Sequence, residues 1–241
     1  MINQFSRLEL MLGSDGVKKL NNARVAVFGI GGVGGYTVEA LARSGVGELD
    51  IIDNDDISKT NINRQIIALH STVGQSKVDV EEKRILDINP DCKVNKHKIF
   101  FSEENAELLD FDCFDYVVDA IDSVKSKLLL AKICYEKNIP LISSMGTGNK
   151  LDPTMLEISD ISKTSYDPLA RVMRRELKKL GIKHLTVVYS KEQPVQPDEE
   201  KIKELVEEEG VSKRSVPSSN AFVPPSAGLL IASKVITDLL K

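Results

Sequence analysis

Residues 25–45 read VAVFGIGGVGGYTVEALARSG. The opening run, extended back to Arg24, is short, apolar and rich in β-branched residues, which predicts a buried strand over 24–29. Gly29, Gly31 and Gly34 then form G-x-G-x-x-G, with Gly32 and Gly35 as extra glycines. A helix is expected over 33–44, stopping near Gly45. Strand, glycine turn and helix in this order let the backbone approach a phosphate, and the helix N-terminus offers free N–H groups and a partial positive charge. The motif alone leaves three occupants open: a dinucleotide, ATP, or nothing at all.

The same alternation continues outward. ELDIID (48–53) reads as a second strand, SKVDVEEKRILDIN (76–89) as a helix stopped by Pro90, VNKHKIF (94–100) as a strand and ENAELLD (104–110) as a short helix. FDYVVDAID (114–122), KSKLLLAKICYEKN (125–138) and IPLISSMG (139–146) add strand, helix and strand. This pattern predicts an α/β fold, a Rossmann-like mostly parallel sheet with helices on both faces. We expect an ATP-binding region over 1–148, behind a helical lead-in at 1–23. A smaller C-terminal extension over 149–241 belongs to the same domain and faces the substrate. In it, TMLEISDI (154–161) and HLTVVYS (184–190) read as strands, and DPLARVMRRELKKLG (167–181) as a helix with an Asp-Pro cap. Segment 191–219 is polar, with an acidic helix at 198–209 and a basic tip, and is expected to be mobile or a lid. The last helix starts after Pro224 and Pro225.

Bulk composition narrows the function classes. The 241 residues are 41% hydrophobic and 28% charged, an ordinary globular mixture. A net charge of −4 and the absence of tryptophan leave nucleic-acid contact to a local patch. The N-terminus carries no apolar run behind basic residues, and AGLLIASKVITDLL is short and holds Lys234, so neither a secretory signal nor a membrane partner is expected and a cytoplasmic location is. Cys92, Cys113 and Cys134 form no C-x-x-C pair, which argues against zinc and against disulfides. His70, His97 and His184 stand apart and read as surface or core residues.

Asp53 ends the second strand, where a ribose-binding acid belongs, so NAD stays viable at that point. Arg64 in NINRQ and Lys77 in GQSK are harder to fit to a dehydrogenase. Two added cations suit a triphosphate whose charge must be neutralised in a transition state. Asp119 and Asp122 close another parallel strand, and a carboxylate beside phosphates there suits Mg²⁺; Asp119 could equally just cap the strand end.

G-x-G-G-x-G, D-x-D, N-x-N-R-Q, G-x-x-K and D-x-x-D in this order resemble the adenylating enzymes of the ubiquitin-activating-like superfamily, the MoeB/ThiF/HesA group, over about residues 5–148. TNINRQI, DAIDSVKSK, LDPTMLEISDISKTSYDPLA and FVPPSAGLLIAS narrow the likeness to the tRNA threonylcarbamoyladenosine dehydratases and extend it to most of the chain, excepting about 182–214. The resemblance implies that Gly29, Gly31, Gly32 and Gly34 line the nucleotide. It implies Asp53 on the ATP ribose with Asp55 in support, Asn61, Arg64, Gln65 and Lys77 around the phosphates, and Asp122 on Mg²⁺. It also implies a homodimer in which Arg7 enters the other subunit's site, so that Arg7, Arg64, Lys77 and Asp122 carry the catalysis. Zinc and a crossover-loop cysteine, common in the superfamily, have no residues here, since no cysteine follows Cys134. A monovalent cation beside the ATP and a sulfur-transfer protein as a further partner are left open.

The reaction implied is ATP-dependent cyclisation of N6-threonylcarbamoyladenosine in tRNA through an acyl-adenylate, releasing AMP and pyrophosphate. A face for RNA would lie on Arg171, Arg174, Arg175, Lys178 and Lys179, with Lys183, Lys213 and Arg214; a merely solvated charged helix is the alternative. Three other functions compete: adenylation of the C-terminal glycine of a ubiquitin-like sulfur carrier, NAD-dependent redox chemistry, and nucleotide sensing without turnover.

Overall fold

The computed structural model describes residues 2–198, 200–202, 204, 207 and 217–241. The basic tip with Lys213 and Arg214, and half of the expected acidic helix at 198–209, lie outside them. Seven strands form one sheet in the order β3-β2-β1-β4-β5-β7-β6. They are β1 Arg24–Phe28, β2 Glu48–Ile52, β3 Lys93–His97, β4 Tyr116–Asp119, β5 Leu141–Ser144, β6 Leu156–Asp160 and β7 Thr186–Ser190. Every neighbouring pair is parallel except β6 with β7, which is antiparallel. The helices are α1 Ser6–Asn21, α2 Gly34–Arg43, α3 Lys77–Ile88, α4 Val124–Lys137, α5 Pro168–Lys179 and α6 Val223–Leu239.

Period-two alternation along β1 builds both layers. Val25 and Val27 face one core with Val38 and Leu41 of α2, Ile85 of α3 and Ile231 of α6. Ala26 and Phe28 face the other, with Phe101, Phe111 and Leu130. Each buried Val, Leu, Ile or Phe among them contributes roughly 1.5–3 kcal/mol through burial. α5 covers β7 with Met173 and Leu177. The expected helix at 104–110 is only a 3-10 turn, Ala106–Leu108, capped by no side chain. The predicted lead-in helix is kinked at Gly13, where φ is 71°.

Chain order reverses between β1 and β4. In such sheets the crevice beyond the carboxyl ends at that reversal is where ligands bind. The glycine turn follows β1 there, Asp53 follows β2, Asp122 follows β4 and Gly146 follows β5. α6 seals the back of the turn. A Cβ on Gly228 would come 2.4 Å from the Val33 carbonyl oxygen, and Thr37 Oγ1 donates to the Gly228 carbonyl at 3.1 Å.

Candidate active site

The glycines of the turn divide by task. A Cβ on Gly34 would lie 1.7 Å from the Gly29 carbonyl oxygen, and one on Gly29, whose φ is +89°, would lie 2.6 Å from the Ala120 carbonyl oxygen. Both are required by the turn's own packing against β4. Gly31 differs, because a Cβ there would meet nothing closer than Gln65 Nε2 at 3.9 Å. That space is open to a ligand. Beside it, Gln65 is buried and its Oε1 has no hydrogen-bond partner. An unmade hydrogen bond at a buried oxygen costs about 1–3 kcal/mol, so a donor from a ligand would be favoured there.

The segment after β2 folds back on the turn. Asn61 accepts the Ser58 N–H at its side-chain oxygen, and its carbonyl accepts the N–H groups of Arg64 and Gln65. Asn61 thus shapes this turn through its own backbone and side chain. Arg64 lies across Gly32, where an added Cβ would sit 3.3 Å from Arg64 Cγ, and its Nη1 donates to Thr60 O and Asn63 Oδ1.

Asp53 accepts the Ile30 N–H at 2.7 Å and the Asp55 N–H at 2.8 Å, which ties the end of β2 to the glycine turn. Lys77 Nζ, buried, donates to Asp55 at 2.7 Å and to Asp53 at 3.3 Å. The lysine expected at phosphates is therefore held by two carboxylates in this structure. Asp122 is exposed past the end of β4. Magnesium fits this donor set, because it takes one or two carboxylates and fills its other positions with phosphate oxygens and water.

Arg7 is not brought to this site within the chain. It is exposed, and Phe5, two residues earlier, packs on Gly45 beyond the far end of α2. That end is ~15 Å from the turn for a ten-residue helix.

Several polar groups differ from expectation. Asp119 does more than end a strand: it pairs with the fully buried Lys127 at 3.0 Å and accepts from Ser143. Lys127 also donates to the Ser144 carbonyl at 2.7 Å, locking β4 to β5 under the site. Sequence reasoning passed over Lys127, although it shares a helical stripe with Leu130, Ala131 and Cys134. A second buried pair, Lys150 with Asp167 at 3.0 Å, joins the loop after β5 to α5. Ser219 accepts from Asn63, Ser218 bonds Asn149, and Asn220 donates to the Lys150 carbonyl, so residues 217–222 strap the two halves of the edge together. His97 is not isolated either. It joins Arg24 and Asn95 on Asp50, and together they outweigh burial and hold that carboxyl below its usual value.

The basic helix face is smaller than expected. Arg174 turns inward to the carbonyls of Ile161 and Thr164, and Arg175 and Lys179 pair with Glu176. Among the described residues, Arg171 and Lys178 carry no ion pair. Cys92 and Cys134 are not activated thiols, since burial pushes the first up to about 11 and the second up to about 12. No helix among the described residues is long and apolar enough to cross a membrane.

The ThiF family model matches residues 3–240. The tRNA threonylcarbamoyladenosine dehydratase of Bacillus subtilis is 50% identical over 244 residues, spanning 100% of this chain and 96% of that protein. The crystal structure of the Escherichia coli tRNA N6-threonylcarbamoyladenosine dehydratase in complex with AMP superposes with a TM-score of 0.88 at 33% identity, covering 98% of this chain and 94% of that one. The same enzyme in complex with ATP superposes at 0.86, also at 33% identity, covering 98% and 93%.

Proposed function

The chain belongs to the ThiF family, and we propose that it is an ATP-dependent tRNA threonylcarbamoyladenosine dehydratase with the sheet-edge crevice as its active site. The observation that carries this reading is the open space over Gly31 beside the unpartnered oxygen of Gln65. It leaves room for a ligand's phosphate at the glycine turn, in a chain 50% identical over its full length to a dehydratase.

The threonyl carboxylate of the modified adenosine is a poor electrophile. It attacks the α-phosphorus of ATP, pyrophosphate leaves, and an acyl-adenylate forms. A nucleophile on the carbamoyl group then attacks the activated carbonyl and closes the ring. AMP departs with one carboxylate oxygen, so the nucleoside loses the elements of water. No protein nucleophile is needed.

The chain's part is positioning and charge neutralisation. Gly31 and the amino end of α2 bring N–H groups to the phosphates. Asp53 receives the ribose. Arg64 and Lys77 meet the charge that grows on the departing pyrophosphate, with the buried Lys77 ammonium held meanwhile by Asp53 and Asp55. Asp122 would hold Mg²⁺, which supplies further neutralisation of phosphate charge when bound. Arg7 comes from a second copy: it is exposed and carries no ion pair among the described residues.

The test supplies ATP, Mg²⁺ and tRNA bearing threonylcarbamoyladenosine, then measures AMP, pyrophosphate and the masses of the digested nucleosides. Loss of one water from the modified nucleoside, abolished by Arg64→Ala, is expected. Pyrophosphate release driven by a carrier protein, with no change in nucleoside mass, would replace this reading by carrier adenylation.

A further inference from the structure

Tyr166 has φ of +57°, a conformation that bulky residues rarely adopt. The Asp167 N–H donates to the Ser165 carbonyl at 2.7 Å, closing a three-residue turn around it. Such turns with positive φ at the centre are rare and strained. This kind of strain concentrates at ligand sites. The turn is held from below, because the Asp167 carboxylate is buried against Lys150 and caps α5 at the Ala170 N–H. Burial therefore gains nothing from the tyrosine, whose side chain is left in solvent with the residue 64% exposed.

The ring does not stand alone. Ser165, Tyr166, Asp167, Pro168, Arg171 and Arg174 line a surface cavity of about 150 Å³. Arg174 is committed to the 161–164 turn and Asp167 to Lys150, which leaves the exposed Arg171 as the cavity's unpaired cation among the described residues. The cavity also has a defined place. Asp167 lies against Gly146, just beyond the carboxyl end of β5, on the same sheet edge as the glycine turn. A polymeric substrate reacting over β1 and β4 would pass over it.

An exposed aromatic face beside an unpaired arginine is what single-stranded RNA loops offer themselves to: bases stack on the ring and a phosphate meets the guanidinium. We propose that Tyr166 and Arg171 form an RNA subsite that stacks an unpaired base next to the modified adenosine and holds its phosphate. This rests on the dehydratase reading and names how that same site takes hold of its RNA.

The experiment measures binding of an anticodon stem-loop carrying the modified nucleoside, KM for the tRNA, and ATP affinity, for the full-length protein and three variants. Tyr166→Asn keeps a residue that tolerates positive φ and removes the ring. It should weaken RNA binding and raise KM by about tenfold to a hundredfold, with kcat at saturating RNA and ATP affinity unchanged. Tyr166→Phe should behave as the unmodified protein. Arg171→Gln should lower the slope of log affinity against log salt by about 0.7, the value for one single-strand phosphate. Active protein with unaltered RNA affinity in Tyr166→Asn overturns the subsite alone, as does equal loss in Tyr166→Phe. Inability of the unmodified protein to dehydrate the tRNA overturns the dehydratase reading, and the subsite with it.

Discussion

Glu81 of α3 is completely buried, and neither of its carboxylate oxygens has a hydrogen-bond partner. It sits behind the glycine turn, where a Cβ on Gly35 would lie 3.7 Å from Oε2 and 3.3 Å from Ile66 Cγ2. Burial, with the nearby Glu39 carboxylate adding to it and Arg84 opposing, pushes its pKa from 4.5 up to about 8. The folded protein thus keeps a proton that the unfolded chain releases, so stability falls as pH rises between those two values. Each tenfold step in the ionisation equilibrium is worth about 1.4 kcal/mol. Keeping this acid buried therefore costs on the order of 4 kcal/mol at about pH 8 and under about 1 kcal/mol at about pH 5. Glu81→Met has similar length and no charge, in a site lined by Gly35 and Ile66. Its advantage over the unmodified protein in urea denaturation should grow by about 3 kcal/mol from about pH 5 to about pH 8. A difference that stays flat across that range would mean that the buried carboxyl ionises at its ordinary value and that burial does not raise it.

The glycines separate folding from binding. Gly34→Ala places a methyl 1.7 Å from the Gly29 carbonyl oxygen and should give a misfolded or strongly destabilised protein by thermal unfolding, whereas Gly31→Ala should keep the melting temperature and lose at least about tenfold in ATP affinity by calorimetry, about 1.4 kcal/mol. Lys127→Met strands the buried Asp119 carboxylate and should lower unfolding free energy by about 3–5 kcal/mol in denaturant titration; an effect under about 1 kcal/mol would mean the pair is not desolvated. Arg7→Ala and Arg64→Ala should each be inactive, and mixing them should restore part of the activity if Arg7 serves the other copy's site; no recovery would place Arg7 outside the catalysis.

Much of the site was legible in the chain because its parts lie at the ends of strands that short-range pattern reveals. Alternation along Val25–Phe28 declares a buried strand, and the loops that follow the parallel strands open on the crevice. Asp53, one residue past β2, and Asp122, three past β4, were singled out as strand-end acids and Arg64 as an extra cation, whereas Gln65 came only from the resemblance carried by NINRQ. The role of Gln65 was legible only as a motif member. Its orphaned oxygen is a property of what surrounds it.

Charge was what the chain order could not assign. Lys77, Lys127, Lys150 and Arg174 are identical in kind to solvated neighbours such as Lys178, and each pairs with a partner 8 to 24 residues away or with a distant turn. Coulombic pairing and desolvation depend on distance in space, which sequence separation does not encode. The tertiary structure therefore decided that Lys77 rests on two carboxylates, that the basic helix keeps only Arg171 and Lys178 unpaired among the described residues, and that Tyr166 is held out into solvent. Strand, turn and helix, and with them the nucleotide edge, were already determined by the sequence, because backbone preference and hydrophobic period act within a few residues.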